Sequence, residues 1–151
     1  MYLSELLNNV DVLKVVGTTD ILIKDVQFDS RKIIDGALFV AMKGVQSDGH
    51  DYIAQTISLG AKAIIVQQIP KELVKDITYV LVNNSNSALG IVAANLYENP
   101  SKRIKLIGVT GTNGKTTIVS LLRQLFSQLE IKTGMLSTIQ NKIIEQVIPS
   151  T

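Results

Sequence analysis

Cysteine is absent from this 151-residue sequence, and aromatic residues make up only 5% of it. Without cysteine the chain has no disulfide, no thiolate metal ligand and no thiol nucleophile. It also has no apolar run that approaches the roughly 18 residues of a membrane-spanning helix. The first residues, MYLSELL, lack a basic segment followed by an apolar stretch, so we expect no secretory signal.

The chain also lacks a large excess of positive or negative charge. The chain has 15 Lys and Arg against 13 Asp and Glu, which gives a formal net charge of +2, and its basic residues are scattered. This distribution gives no support to nucleic-acid binding. The hydrophobic share of 46% is typical of a globular core, and the length allows one domain, or one small domain plus part of another. We expect a monomeric, cytoplasmic enzyme or binding protein that does not insert into membranes.

The first hundred residues alternate between strand and helix patterns. Apolar runs predict four strands, over residues 21–28, 37–42, 63–66 and 79–82. Apolar residues at helical spacing predict three helices: one over residues 2–8, one from about 50 to 59 that ends at Gly60, and one that Ser85 or Asn86 caps and that stops before Pro100. This regular alternation predicts an α/β protein with largely parallel strand pairing.

Residues 100–102 form the best domain boundary, which predicts domains over 1–100 and 101–151. The second part is expected to contain a strand over 104–109, a helix over 116–129, and strands over 132–137 and 142–148. A nucleotide-binding sheet normally needs about five or six strands to bury its faces. We therefore expect the second part to be the opening of a longer domain.

The strongest motif is GVTGTNGKTT at residues 108–117, which is similar to the phosphate-loop pattern Gly-x4-Gly-Lys-[Ser/Thr] but has five residues between Gly108 and Gly114. Its glycines let successive backbone N–H groups point at phosphate oxygens, and the following helix turns its unpaired N–H groups towards the same anion. The alternative is an ordinary glycine-rich turn between a strand and a helix. The predicted apolar strand before the loop, and a helix with a buried face of Leu121, Leu122, Leu125 and Leu129 after it, favour the nucleotide loop.

In this loop the motif assigns a role to each position. Lys115 is predicted to reach the β- and γ-phosphates and to be the catalytic residue, and the Thr116 hydroxyl is predicted to be a ligand of Mg²⁺. The predicted ATP-binding residues are Gly111, Thr112, Asn113, Gly114, Lys115, Thr116 and Thr117.

The same string is similar to the loop of the Mur ligases and of their folate-polyglutamating relatives. Segments of the first hundred residues resemble the amino-terminal domain of the Mur ligases that add the third or the final peptide segment of the peptidoglycan precursor. These segments are DSR at 29–31, GALFVA at 36–41, Gly44, DGH at 48–50 and GA at 60–61. Tyr97 and Pro100, which lead into IGVT at 107–110, are also similar to the ligase that adds the third residue.

This resemblance implies a small Rossmann-like amino-terminal domain that binds a uridine nucleotide. It is followed by the first strand–P-loop–helix–strand unit of a central ATPase domain, and in the family by a third domain. The implied substrates are ATP, UDP-N-acetylmuramoyl-L-alanyl-D-glutamate and a diamino acid, with Mg²⁺ as cofactor. In the family reaction ATP phosphorylates the D-glutamyl carboxylate, and the amine attacks the acyl phosphate. The chain is then expected to be an inactive amino-terminal fragment of that enzyme.

The resemblance also assigns Phe28, Ser30, Val45, Gln46 and Ser47 to the uridine-nucleotide substrate. Ser30 follows a predicted strand end, where open α/β sheets bind ligands, and the loop over 44–49 offers backbone N–H groups suited to a diphosphate. The family often has His or Glu where this chain has Val45, so that residue offers only backbone or apolar contact.

Two parts of this region also have purely structural explanations that involve no ligand. Residues 29–31 alternatively form a turn closed by a local Asp–Arg pair. His50, the single histidine, is better explained as a helix-start residue than as a catalyst.

Two other functions remain open at the level of sequence. One is the Mur ligase that adds the final segment to a UDP-muramoyl tripeptide, although its loop more often carries Ser where this chain has Thr112 and Asn113. The other is a stand-alone P-loop module without ligase chemistry. Whether the diamino acid is diaminopimelate or lysine also remains open.

Overall fold

The structure, a computed structural model, describes residues 1–44, 47–144 and 146–149. Its internal contacts divide the chain into two compact units, residues 1–104 and residues 105–151. The boundary expected from the sequence lies a few residues before this division. No helix in the described part of the chain is long and apolar enough to cross a membrane.

The first unit is a five-stranded sheet with helices on both faces. Its strands are β1 (Val12–Val16), β2 (Asp25–Gln27), β3 (Ala37–Val40), β4 (Ala63–Val66) and β5 (Thr78–Val82). Its α-helices are α1 (Leu3–Leu6), α2 (Ile53–Ser58) and α3 (Ser85–Leu96), and short 3₁₀ turns cover Ser30–Lys32, Gly49–Tyr52 and Pro100–Arg103. The strand order is β1-β5-β4-β3-β2; β1 runs antiparallel to β5, and the other pairs are parallel.

Two hydrophobic clusters, one on each face of the sheet, form its core. In β3, Leu38 and Val40 pack in the cluster that contains residues of α1 and α3, whereas Ala37 and Phe39 pack in the cluster that contains Ile53 of α2. All residues of β3 and β4 are buried, as expected for parallel strands covered on both sides. The predicted mixed α/β sheet with mostly parallel pairing is therefore confirmed for this unit.

Several predicted elements of this unit are placed differently in the structure. The strand predicted over 21–28 is only β2, because residues 21–23 bond through their backbones to residues 1–3 as an isolated bridge at Leu22. The edge strand β1 had no predicted counterpart. Helix α3 is capped by Asn84, whose side chain accepts a hydrogen bond from the backbone N–H of Ser87 at 3.0 Å, and not by Ser85 or Asn86.

The second unit combines helix α4 (Lys115–Gln128) with an antiparallel sheet of three short strands. These are β6 (Gly134–Met135), β7 (Gln140–Ile143) and β8 (Gln146–Pro149), in the order β6-β7-β8. The single strand predicted over 142–148 is wrong, because the chain turns at Ile144, which has a φ of 54°, and forms the hairpin of β7 and β8. The strand predicted over 132–137 shortens to β6.

The strand predicted over 104–109, before the phosphate loop, is also wrong for this structure. Ile104, Leu106 and Ile107 are 62%, 76% and 55% exposed, and no strand of the described chain pairs with them. A β-strand is defined by the backbone bonds to its neighbour, so an apolar sequence without such a neighbour remains extended but unpaired.

Helix α4 buries the predicted face only in part, because Leu122 is half-buried whereas the other three predicted leucines are exposed. Leu121, Leu125 and Leu129 are 59%, 50% and 60% exposed. The half-buried face includes Leu122 and also Ser120, whose Oγ lies 3.8 Å from the sulfur of Met135 in β6. The apolar period of the helix was identified correctly, but β6 packs beside Ser120, and Leu121, Leu125 and Leu129 stay exposed.

Candidate nucleotide-binding sites

A pocket opens at the carboxyl edge of β2 and β3 in the first unit. Because these strands are parallel neighbours, the segments that follow them leave the sheet at the same edge. The pocket has a volume of about 530 Å³, within the usual range for small-molecule sites. Its lining comes from Phe28–Arg31 after β2, from the loop after β3, and from Tyr52 and Gln55 at the start of α2.

Two aromatic side chains flank this pocket. Phe28 is 54% exposed and Tyr52 is 40% exposed, although both line the cavity, while Phe39 of β3 lines it from the buried core. An exposed ring at the rim of a cavity is suited to stacking on a nucleobase. Phe28 was predicted from the sequence. Tyr52 was not, and its only sequence signal is an aromatic residue directly after the loop.

The turn that carries Ser30 is held by an ion pair between its neighbours. Arg31 donates from Nε and Nη2 to the two carboxylate oxygens of Asp29 at 2.9 and 2.8 Å, and its backbone N–H also donates to Asp29 at 3.1 Å. The side-chain hydrogen bonds from Arg31, followed by its backbone N–H, lower the pKa of Asp29 from its usual 3.8 to about 2. The local Asp–Arg pair is therefore present, and the same turn lines the pocket together with Ser30.

The loop after β3 closes on itself through its backbone. Gly49 donates its N–H to the carbonyl of Met42 at 2.8 Å, and Gly44 donates to the carbonyl of Ser47 at 2.9 Å. A Cβ at Gly49 would lie only 2.7 Å from the Met42 nitrogen, so this approach requires glycine. Gly44, Ser47 and Gly49 line the pocket. The predicted substrate residues Val45 and Gln46 lie outside the described residues.

His50, directly after this loop, is the second residue of the 3₁₀ turn Gly49–Tyr52, which agrees with its assignment to a helix start. Its ring has two partners: Nδ1 lies 2.6 Å from Oδ1 of Asp48, and Nε2 lies 3.0 Å from the backbone nitrogen of Gln67. Hydrogen bonds from the backbone N–H and then from the ring of His50 lower the pKa of Asp48. The sequence pattern DGH gave no signal for the contact with Gln67.

The second unit presents the predicted phosphate loop at the start of α4. Gly111 and Gly114 have φ angles of 147° and 78°, a region that favours glycine, and at both positions an added Cβ would meet nothing closer than 3.7 Å. No side chain caps α4, whereas Asn84 caps α3. The N–H groups of the first turn of α4 are therefore available to an anion, and the helix dipole favours one there.

Lys115 and Thr116 lie in this first turn. The Lys115 ammonium donates to the carbonyls of Gly111 and Thr112 at 2.5 and 3.3 Å, which holds it against the backbone of the loop. The residues fit a nucleotide phosphate, and Thr116 would offer one hydroxyl oxygen to a magnesium ion. The described residues contain no group of three or more His, Asp or Glu side chains that could hold a metal ion.

Comparison with protein families matches both units. The model described as Mur ligase family, catalytic domain, matches residues 22–100, which is about half of the chain. The model described as Mur ligase middle domain matches residues 109–150, which include the phosphate loop from Val109 onwards.

An individual relative of the chain matches it over its whole length. The UDP-N-acetylmuramoyl-L-alanyl-D-glutamate–2,6-diaminopimelate ligase of Cytophaga hutchinsonii is 45% identical over 152 aligned residues, which cover 100% of this chain and 31% of the relative. The chain thus spans about a third of the length of the curated relatives it matches.

Two solved structures extend the comparison. A ligase of the same name has a TM-score of 0.74 over 99% of this chain and 30% of its own; at 22% identity it supports the fold alone. The MurF ligase of Thermotoga maritima in complex with ADP is 32% identical, with a TM-score of 0.53 over 72% of this chain and 24% of its own.

Proposed function

Because the chain belongs to the Mur ligase family, we propose that it serves the ATP-dependent addition of a diamino acid to UDP-N-acetylmuramoyl-L-alanyl-D-glutamate in peptidoglycan biosynthesis. The observation that carries this proposal is the 45% identity, over the whole chain, to a relative named for that reaction. The two candidate sites supply independent physical support, since one suits a uridine nucleotide and the other suits the phosphates of ATP.

The pocket of the first unit is proposed to bind the uridine diphosphate part of the substrate. Phe28 offers a ring for stacking, Ser30 offers a hydroxyl on a turn that is held in place, and Ser47 lies on the loop opposite. Val45 and Gln46 complete the predicted set, and their roles remain predictions.

The loop of the second unit is proposed to hold ATP through residues 111–117. Lys115 would exchange its contacts with the loop carbonyls for phosphate oxygens, which neutralises charge as the phosphoryl group is transferred. The acceptor of that group is the D-glutamyl carboxylate. The resulting acyl phosphate is attacked by the amine of the diamino acid, and phosphate leaves.

Magnesium, when bound, would offset the negative charge of the ATP phosphates. This chain would contribute the Thr116 hydroxyl to it. No protein nucleophile is needed, because both reacting groups belong to the substrates.

Diaminopimelate is the proposed amino acid. The names of the relatives at 38–46% identity that cover nearly all of this chain specify 2,6-diaminopimelate. A ligase that adds the final dipeptide is the second candidate, because solved structures with that name are 28% identical over 85% of the chain. The lower identity and coverage make it the weaker alternative.

The polypeptide encoded by the complete gene provides the test. It is incubated with Mg-ATP and either UDP-muramoyl dipeptide plus diaminopimelate, the same dipeptide plus lysine, or UDP-muramoyl tripeptide plus D-alanyl-D-alanine. Product mass and phosphate release are then measured. The proposal predicts product chiefly in the first mixture. Product only in the third would identify the final-segment ligase, and product in none, with ATP still bound, would favour a stand-alone P-loop module.

We also propose that residues 1–151 alone do not form the amide bond, since they align with only 31% of the length of the relative. Purified 1–151 in the first mixture should release no product even at high protein concentration. Amide product above the level of a protein-free control would overturn this part of the proposal.

A further inference from the structure

His50 joins the pocket loop to the carboxyl ends of two neighbouring strands. Its ring lies between Asp48, on the loop after β3, and Gln67, the residue that follows β4. We call this set of three residues the His50 bridge. The side chain of His50 is only 19% exposed, so both ring contacts lie close to the body of the protein.

The contact with Gln67 determines the protonation of the ring. A backbone N–H can only donate, so Nε2 of His50 must be the acceptor and cannot carry a proton. The proton of the neutral imidazole is therefore on Nδ1, which donates it to the Asp48 carboxylate at 2.6 Å. The bridge as observed needs the neutral ring in one tautomer.

The far end of the bridge is itself anchored. The side chain of Gln67 donates from Nε2 to the carbonyl of Asn83 after β5 at 3.0 Å, and it accepts a hydrogen bond from the hydroxyl of Ser85 at 2.9 Å. Ser85 is fully buried at the start of α3. The loop is thus bonded through His50 to a fixed point on the sheet.

We infer that His50 is a positioning residue for the uridine-nucleotide pocket, and that only its neutral, Nδ1-protonated form holds the loop in the binding geometry. The identity of the ligand rests on the proposed function; the bridge does not. A second proton on Nε2 would set N–H against N–H and break the contact with Gln67. It would leave the contact with Asp48 as a charged pair, so the loop would be released from β4 and ligand binding would weaken.

The charges near the ring come from the loop and its flanks. Asp48 contacts the ring directly, Lys43 acts on Asp48 from across the loop, and Asp51 is the next residue along the chain. The contacts described from β4, β5 and α3 are neutral: an amide N–H, a carbonyl and a hydroxyl. None of these described contacts carries a negative charge that would hold the protonated ring against the sheet.

The first arm of the test is independent of any ligand. His50 is the single histidine in the chain, so the ¹⁵N signals of an imidazole-labelled sample belong to it alone. At alkaline pH we expect an unprotonated Nε2 and a protonated Nδ1. On acidification, the amide signals of Gln67, Gly44, Ser47 and Gly49 should move with the same midpoint as the ring. The opposite tautomer, or a ring that titrates while these amides stay still, would overturn the inference.

The second arm measures binding of UDP to the whole chain by calorimetry at pH values above and below that midpoint. Wild-type affinity should fall roughly three- to tenfold on the acidic side, the effect expected for loss of one hydrogen bond. His50→Gln keeps an uncharged acceptor and should bind with no step at that pH. His50→Ala should bind weakly at every pH. As a matched exposed site, Lys75→Gln should retain the wild-type step.

The two arms separate the possible failures. If UDP does not bind at any pH, the proposed pocket function fails, while the amide signals still decide the bridge. If UDP binds with the same pH profile in the wild type and in His50→Gln, the positioning role is refuted and the pocket function stands.

Discussion

Replacing Phe28 by alanine removes the exposed ring at the rim of the pocket and is expected to weaken uridine-nucleotide binding. A phenylalanine side chain offers roughly 150–250 Å² for burial, and Phe28 is 54% exposed, so roughly 100 Å² is free to be covered. A stacked base covers one face of the ring. At about 25 cal/mol per Å² this gives about 1–2 kcal/mol, in line with measured base–aromatic stacking, or about a 5- to 30-fold rise in Kd.

Calorimetric titration of the 151-residue chain with UDP measures this change directly. Tyr97→Ala is the matched control, because Tyr97 is also an exposed aromatic residue, at 68%. Tyr97 follows the carboxyl end of α3, whereas the pocket lies at the sheet edge where α3 begins. Phe28→Tyr keeps the stacking face and should bind within about twofold of the wild type. If Phe28→Ala binds UDP as tightly as the wild type, the ring does not contact the base, and the assignment of the pocket loses its main support.

Three further substitutions test separate parts of the account. Lys115→Ala in the complete enzyme should abolish turnover with little change in Tm, because the ammonium contacts only exposed loop carbonyls; wild-type turnover would refute its role. Gly49→Ala should destabilise the first unit by about 1–3 kcal/mol through the clash with the Met42 backbone, whereas Gly90→Ala, where nothing lies within 4 Å, should be neutral or stabilising in the same thermal melt. The pKa of Asp29 is lowered to about 2, so its ion pair stabilises the fold above the usual carboxyl pKa of 3.8 and is lost as the pH falls through about 2. Asp29→Asn should therefore flatten the loss of stability between about pH 4 and 2 in urea titrations, and an unchanged slope would show that the pair contributes nothing.

The first unit could be predicted well from sequence because its strands are buried on both faces. The strand over Ala63–Val66 was predicted with its observed bounds, and β3 and β5 to within a few residues. Continuous β-branched and apolar runs leave little choice of structure there. The edge strand β1, VLKVV, was missed although four of its five residues are apolar; it pairs with β5 alone, and none of its residues is fully buried.

The second unit could not be predicted as well, because its local patterns depend on neighbours. The apolar run over 104–109 has the composition of a parallel strand, but pairing is a tertiary property and its residues are exposed. The burial of the leucine face of α4 likewise depends on which element packs against it. The turn at Ile144 was missed because a β-branched residue with positive φ contradicts the usual turn chemistry.

The residues of the pocket were also predicted only in part. The sequence, with its family resemblance, identified Phe28, Ser30 and Ser47, which do line one cavity. It missed Tyr52 and the His50 bridge, because the contact with Gln67 joins residues from different strand ends and leaves no local pattern.

The claim at the centre of this account is that one chain carries two different nucleotide sites, one in each unit. The direct measurement is an NMR titration of uniformly ¹⁵N-labelled protein, first with UDP-N-acetylmuramoyl-L-alanyl-D-glutamate and then with Mg-ADP. The account predicts that the first ligand shifts amides of residues 28–31 and 47–52, and that the second shifts amides of residues 111–117. If both ligands shift the same set of amides, or if the UDP ligand leaves residues 28–31 and 47–52 unchanged, the account is contradicted.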